Sequence, residues 1–103
     1  MELKELTEKA KEIKQKYAAK NQKQWGVAEY TQGFVGDVGD LSKLILAKNE
    51  FRSIADVDAK LAHELADCLW SILVIADELG IDLEKEFVKT MGELSERFND
   101  KDK

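Results

Sequence analysis

Residues 60–79 read KLAHELADCLWSILVIADEL, and they give the clearest indication of the architecture of this 103-residue chain. The second half of this stretch, residues 68–76, is apolar on nearly every side of a helix. Such a helix is typical of the centre of a core that is larger than one small domain usually builds. Gly80 follows as a natural helix end. The pattern therefore predicts a central helix whose packing is completed by oligomerisation.

Three further helices are predicted around this central one, because apolar residues recur at spacings of three and four. The first covers about residues 2–20 and the second about residues 29–48, while the fourth follows Asp82 as its N-cap. The composition agrees, since Leu, Ala, Lys and Glu dominate and proline is absent. We therefore expect an all-α protein with a single domain over residues 1–103.

The charge pattern and the apolar runs exclude several kinds of partner. A formal net charge of −5 without a basic stripe argues against nucleic acid, although a nucleotide can still be held through metal ions. The run at residues 68–76 is far shorter than a membrane span, and the charged N-terminus is unlike a signal peptide. We expect a cytoplasmic protein. Cys68 is the single cysteine, and we expect it to be a small buried hydrophobe.

Four carboxylates form two matched pairs, Asp37 with Asp40 in the second helix and Glu64 with Asp67 in the third. Their i, i+3 spacing places each pair on one face of its helix. Both pairs lie in apolar sequence, where an unpaired acid is costly, and four converging acids would repel one another. A divalent cation removes this conflict. Because the ligands would all be oxygens, the site favours Mg²⁺ or Mn²⁺.

Other interpretations of these residues are weaker. A solvated helix face would pair Glu64 with Lys60 at i, i+4, but it does not suit Asp67, which has apolar neighbours. A di-iron centre would need Glu-x-x-His pairs, and the sequence has none. His63 and Glu64 resemble half of a His-Glu-x-x-His zinc helix, but Asp67 stands where the second histidine would be.

Three glycines recur every third residue in the second helix, at Gly33, Gly36 and Gly39. Each should cost about 1 kcal/mol relative to alanine inside a helix. We expect them to permit the close approach of a neighbouring helix or a ligand. The alternative is a frayed helix start at Gly33.

The phrases FVGDVGDL at residues 34–41 and ELAD at residues 64–67 resemble the all-helical nucleotide pyrophosphohydrolases of the MazG-like superfamily. That family carries Glu-x-x-Glu on one helix and Glu-x-x-Asp on the next. The resemblance covers about residues 25–98 and implies a four-helix MazG-like bundle. It also implies Mg²⁺-dependent hydrolysis of nucleoside or deoxynucleoside triphosphates to the monophosphate and pyrophosphate, as nucleotide-pool house-cleaning. With the apolar central helix, it leads us to expect a homodimer or homotetramer.

Carried over by position, Asp37, Asp40, Glu64 and Asp67 would be the metal ligands and the catalytic residues. The chain departs from the family pattern in the first pair, where both glutamates are aspartates and one methylene shorter. The helices must then approach more closely, or the metals must shift. A second departure is Leu94, which stands about where relatives carry an asparagine near the end of the last helix. Recognition of the base therefore does not carry over.

The sequence also offers candidates for substrate binding. An aromatic residue just before the second helix could stack on a base or could plug a loop, and cations near the acid pairs or on the last helix could meet phosphate oxygens. These candidates are Trp25, Lys43, Lys60, Lys89 and Arg97. Trp70 is predicted to anchor the core or an interface. Two other functions stay open, namely a catalytically weak nucleotide-binding module and a helical interaction module.

Overall fold

The computed structural model describes residues 2–21, 25–49 and 54–101, which form four α-helices and no strand. The all-α class and the four predicted helices are thereby confirmed. Residues 22–24, in the first connection, and 50–53, in the second, lie outside the described residues. The helices are α1 (Leu3–Asn21), α2 (Val27–Lys48), α3 (Val57–Glu78) and α4 (Leu83–Lys101).

Helix α2 begins earlier than the apolar pattern predicts, because Gly26 is its N-cap. The carboxylate of Glu29 accepts a hydrogen bond of 3.1 Å from the backbone N–H of Gly26. This contact satisfies one of the donors that a helix start leaves without an intrahelical partner. The helix therefore starts at Val27.

Helix α3 ends just before Gly80, as the sequence predicts, with Leu79 as its C-cap. This glycine has a φ of +67°, in the left-handed region that favours residues without a Cβ. The Ile81 N–H donates to the Ala76 carbonyl at 2.9 Å, and the Gly80 N–H donates to the Asp77 carbonyl at 3.1 Å. These are the two hydrogen bonds of a Schellman motif, which redirects the chain toward α4.

The core is built by α1, α2 and α3, with α2 packed along α3 and α1 packed on α3 as well. Ala10, Tyr30, Leu73 and Val74 form its buried cluster, and Val74 is fully buried. Other buried apolar residues are Leu44, Ala47, Cys68 and Ala76. The indole N–H of Trp70 donates to the Ala10 carbonyl at 3.2 Å, so this side chain ties α3 to α1. Trp70 therefore packs against the core, as predicted.

Charged side chains add a second connection between α1 and α3. The ammonium of Lys14 lies 2.6 Å from a carboxylate oxygen of Glu78 and 3.6 Å from one of Asp77. The hydrogen bond to Glu78 is the main reason that the pKa of Lys14 is raised. Helices α2 and α3 are joined in a similar way across their connection, by Lys48 and Asp58 at 2.5 Å.

The glycines of α2 do not have the packing role expected of them. A Cβ added at Gly33, Gly36 or Gly39 would have no heavy atom within 4 Å in the described part of the chain. The expected close approach of a neighbouring helix is therefore wrong within a single chain. Helix α2 is nonetheless continuous through Gly33, so the frayed start is not found either. We have no physical account of the repeat itself.

The apolar surface of the protein is incompletely covered. Leu69 and Ile72, in the run predicted to be central, are 41% and 37% exposed. Every residue from 84 to 99 in α4 is exposed, including its predicted apolar face. Cys68 is buried, as predicted. No helix within residues 2–21, 25–49 and 54–101 is long and apolar enough to cross a membrane.

Two glycine-to-alanine substitutions should have opposite effects on stability. Gly80→Ala should lower the free energy of unfolding by about 1 kcal/mol, because alanine disfavours a left-handed backbone. Gly36→Ala should raise it by about 0.5 to 1 kcal/mol, because the added methyl group meets open space inside a helix. Urea unfolding of the two variants and the wild type measures both. A loss in Gly36→Ala would show that something occupies the space beside that residue.

Candidate metal centre and adjoining cleft

Packing of α2 against α3 brings three of the four predicted carboxylates together. Asp37, Asp40 and Glu64 each offer one oxygen atom, and these three atoms lie within 4.8 Å of one another. Two neighbouring helices thus supply one cluster of carboxylate oxygens, of the kind that could hold a divalent cation. Helix α2 contributes two of the side chains because the i, i+3 spacing leaves both on the side that faces α3.

Asp37 is partly buried and lies close to the other acids. Burial is the main cause of its raised pKa, and the negative charge of Asp67 is the next. The hydroxyl of Ser71 donates a long hydrogen bond of 3.5 Å to this carboxylate and acts in the opposite direction. A single weak donor does not offset the loss of water and the repulsion.

Glu64, like Asp37, is removed from water and lies close to other negative charges. Its Oε2 atom is buried and has no hydrogen-bond partner among the described residues. Burial raises the pKa of Glu64, and the charges of Asp37 and Asp67 raise it further. A buried carboxylate oxygen without a donor is costly, and either a proton or a cation would satisfy it. The unsatisfied Oε2 atom of Glu64 points to a missing partner, independently of the short distances between the three carboxylates.

Asp67 lies outside the group of three oxygens. One of its oxygens is 3.1 Å from Nε2 of His63, one helical turn earlier. The i, i+4 spacing of His63 and Asp67 is one that brings two side chains together on a helix. Asp67 still acts on the cluster electrostatically, since its charge raises the pKa of Asp37 and of Glu64. Its role as a fourth ligand stays a prediction.

A cleft of about 540 Å³ adjoins the acids. It is formed by α1, α2, α3 and the segment before α2. Asp37, Asp67 and His63 line it together with a group of aromatic rings. Neighbouring rings in this group are 5.8 to 6.2 Å apart between centroids and are tilted or edge-on to one another. The aromatic residues are Tyr17, Trp25, Tyr30 and Trp70.

Of the five predicted substrate-binding residues, only Trp25 lines the cleft. Trp25 lines the cleft and remains 50% exposed, although its ring also contacts Tyr30. Sequence reasoning missed Tyr17 and Tyr30 as cleft residues, because nothing in their local sequence indicates which distant ring they meet. The four predicted cations are exposed, and none is among the described residues that line the cleft. They are Lys43, Lys60, Lys89 and Arg97.

No family model, curated protein or solved structure was found to match this chain. The resemblance to the MazG-like superfamily is therefore carried by the two acid motifs and their surrounding residues. Chemically, the geometry joins a cluster of oxygen ligands to a cleft with aromatic walls. Such a site suits a ligand that has an anionic, metal-binding end and a flat organic ring.

Without metal, Glu64→Gln should raise the free energy of unfolding at about pH 7.5. The pKa of Glu64 is raised from 4.5 in the folded protein, so the fold disfavours its ionised form. Stability should therefore fall as the pH rises from the unfolded pKa through the folded one. The gain in Glu64→Gln should be present at about pH 7.5 and largely absent near about pH 4, where the wild-type carboxyl is mostly protonated.

Urea unfolding in the presence of a chelator measures this difference. Glu12→Gln removes an exposed carboxylate from α1 and serves as the matched control, with little change at either pH. A loss of stability in Glu64→Gln at about pH 7.5 that disappears near about pH 4 would contradict the prediction, because it would mean that the folded protein favours the ionised carboxylate.

Proposed function

We propose that this protein hydrolyses nucleoside or deoxynucleoside triphosphates to the monophosphate and pyrophosphate, with Mg²⁺ or Mn²⁺ as the cofactor. The observation that carries the proposal is the cluster of oxygens from Asp37, Asp40 and Glu64, within 4.8 Å of one another on successive helices. The resemblance of both acid motifs to those of the MazG-like superfamily supports the reaction and the bond that is cleaved. The proposed setting is nucleotide-pool house-cleaning in the cytoplasm.

The residues fit a divalent cation by charge and by ligand type. Among the residues that the structure describes, no ion pair involves Asp37, Asp40 or Glu64, and the buried Oε2 of Glu64 has no hydrogen-bond partner. Asp37, Asp40 and Glu64 would hold the ion, and Asp67 is the fourth candidate. When bound, Mg²⁺ supplies neutralisation of the triphosphate charge, polarisation of a phosphoryl group and a more acidic water.

The remaining chemistry falls to the side chains themselves. Hydrolysis needs a base that takes a proton from the attacking water within hydrogen-bond reach. Asp67 is well placed for this role, because it lines the cleft and lies outside the three-oxygen cluster. One of its oxygens lies 3.1 Å from Nε2 of His63. Glu64 is the alternative base.

The aromatic part of the cleft supports a nucleotide rather than a simple polyphosphate. A cavity of about 540 Å³ is in the usual range for small-molecule sites. Exposed parts of Trp25 and Tyr17 are available to stack on a base, and this kind of stacking tolerates different bases. The proposed orientation places the phosphates at the acids and the base among the rings.

Release of pyrophosphate over a panel of common and modified nucleoside triphosphates tests the reaction. We expect pyrophosphate and monophosphate in equal amounts, dependent on Mg²⁺ or Mn²⁺. Glu64→Gln should lower the rate by on the order of 100-fold or more, because it removes a ligand charge from the site. Glu12→Gln, a change of the same kind on the exposed side of α1, should leave the rate unaltered.

The other outcomes point to different functions. Release of orthophosphate in place of pyrophosphate would contradict the proposed position of cleavage. Nucleotide binding without turnover would favour a catalytically weak nucleotide-binding module. If neither binding nor turnover occurs, the helical interaction module becomes the better account.

A change at Trp25 tests the orientation of the substrate. Trp25→Ala should raise KM for the preferred nucleotide by about 5- to 150-fold, because base stacking on an aromatic ring contributes roughly 1 to 3 kcal/mol. It should leave kcat nearly unchanged, since Trp25 is not one of the carboxylates that would hold the ion or accept the proton. Trp25→Phe, which keeps a flat ring, should restore most of the affinity. An equal KM in Trp25→Ala and the wild type would place the base elsewhere.

A further inference from the structure

The side of α2 that faces the cleft contains one residue without a side chain, Gly33. Tyr30 precedes Gly33 by three positions and Asp37 follows it by four, so the three residues lie within about 60° of one another around the helix. All three line the cleft. At a rise of about 1.5 Å per residue, Gly33 lies about 4.5 Å along the helix axis from Tyr30 and about 6 Å from Asp37. This wall of the cleft therefore runs from an aromatic ring, across bare backbone, to a carboxylate.

Folding does not require a glycine at this position. A Cβ added at Gly33 would have no heavy atom within 4 Å in the described part of the chain, and the backbone there is α-helical. Inside a helix, glycine is less favourable than alanine by about 1 kcal/mol. Gly33 therefore lowers the stability of α2, and the space that it leaves open belongs to the cleft.

Gly36 provides a comparison within the same helix. A Cβ added there would likewise have no heavy atom within 4 Å among the described residues. Gly36 lies about 100° around the helix from Asp37, and it is not one of the described residues that line the cleft. A side chain added at Gly36 would therefore change α2 in the same way without entering the cleft.

The two ends of this wall offer contacts to different parts of a ligand. At one end, Asp37 belongs both to the cleft and to the three-oxygen cluster, in which the buried Oε2 of Glu64 has no hydrogen-bond partner among the described residues. At the other end, the ring of Tyr30 contacts that of Trp25, which is 50% exposed. A ligand that reached both ends would pass directly over Gly33.

We propose that Gly33 is a specificity-determining residue, and that the sugar of a bound nucleotide lies against its bare backbone. The sugar is the part of a nucleoside triphosphate that joins the base to the phosphates, and Gly33 lies between the aromatic ring and the carboxylate of the wall. Glycine permits this close approach of a backbone to a ligand. The identity of the ligand rests on the proposed function, which places the phosphates at the acids and the base among the rings.

Gly33→Val should raise KM for the nucleotide that the wild type cleaves best by about 5- to 150-fold, the typical effect of forcing extra methyl groups into an occupied space. Valine has one strongly preferred rotamer in a helix, so its side chain has little freedom to turn away. Gly33→Ala adds a single methyl group and should raise KM less, although it should make the protein more stable to urea. Gly36→Val, the matched control, should leave KM at the wild-type value.

Two further measurements separate the sugar from the acids and from turnover. Gly33→Val keeps every carboxylate of the cluster, so Mg²⁺ should raise its free energy of unfolding as much as that of the wild type. A nucleoside triphosphate with a methylene group between the α and β phosphorus atoms reports affinity without cleavage. Its dissociation constant should rise in Gly33→Val by the same factor as KM.

The outcomes distinguish this inference from the proposed function. A wild type that neither binds nor cleaves nucleotides would contradict the proposed function and the inference with it. If the wild type cleaves nucleotides and Gly33→Val has an unchanged KM, the inference is overturned and the proposed function stands. An equal rise of KM in Gly33→Val and Gly36→Val would also overturn the inference, because the effect would then come from α2 rather than from the cleft. Should Gly33→Val fail to fold, an unchanged KM in Gly33→Ala would overturn it as well.

Discussion

Repulsion among the carboxylates shared by α2 and α3 is the constraint on which the proposed function depends. The same contact that packs these helices brings Asp37, Asp40 and Glu64 together and partly removes Asp37 and Glu64 from water. Both effects oppose ionisation, so the pKa of Asp37 and that of Glu64 are raised. The helix pair is therefore less stable at neutral pH than its apolar contacts alone would make it. With a bound cation, the ionised carboxylates would stabilise the helix pair instead of destabilising it.

The packing of α1 on α3 completes the cleft beside the helix pair. Tyr30 belongs to the core, Trp70 packs against it, and both line the cleft, so the packing of α1 on α3 determines the shape of the cleft. The hydrogen bond from Trp70 to the Ala10 carbonyl and the ion pair of Lys14 with Glu78 fix that packing. The stability of the fold and the shape of the cleft therefore depend on the same contacts. The acids are the part of the site that costs stability.

Much of this structure follows from local sequence. Apolar spacing predicts four helices, Gly80 predicts the end of α3, and the i, i+3 spacing predicts that Asp37 and Asp40 share a face. These features depend on residues within one or two helical turns. The long-range contacts could not be predicted in the same way. The pairing of Tyr17 with Trp70 joins residues more than 50 positions apart, and no local pattern specifies it. The glycine repeat of α2 suggested a close neighbour that the single chain does not provide.

The most direct test of the central claim is the effect of Mg²⁺ on the free energy of unfolding. A ligand that binds only the folded protein stabilises it by RT ln(1 + [L]/Kd), which is about 2.7 kcal/mol at a hundredfold excess over Kd. The wild type should gain stability with rising Mg²⁺ concentration, and so should Glu12→Gln. Asp40→Asn should gain much less, because it lacks one of the three clustered carboxylates. Equal responses to Mg²⁺ in the wild type and Asp40→Asn would contradict the claim that these acids form a cation site.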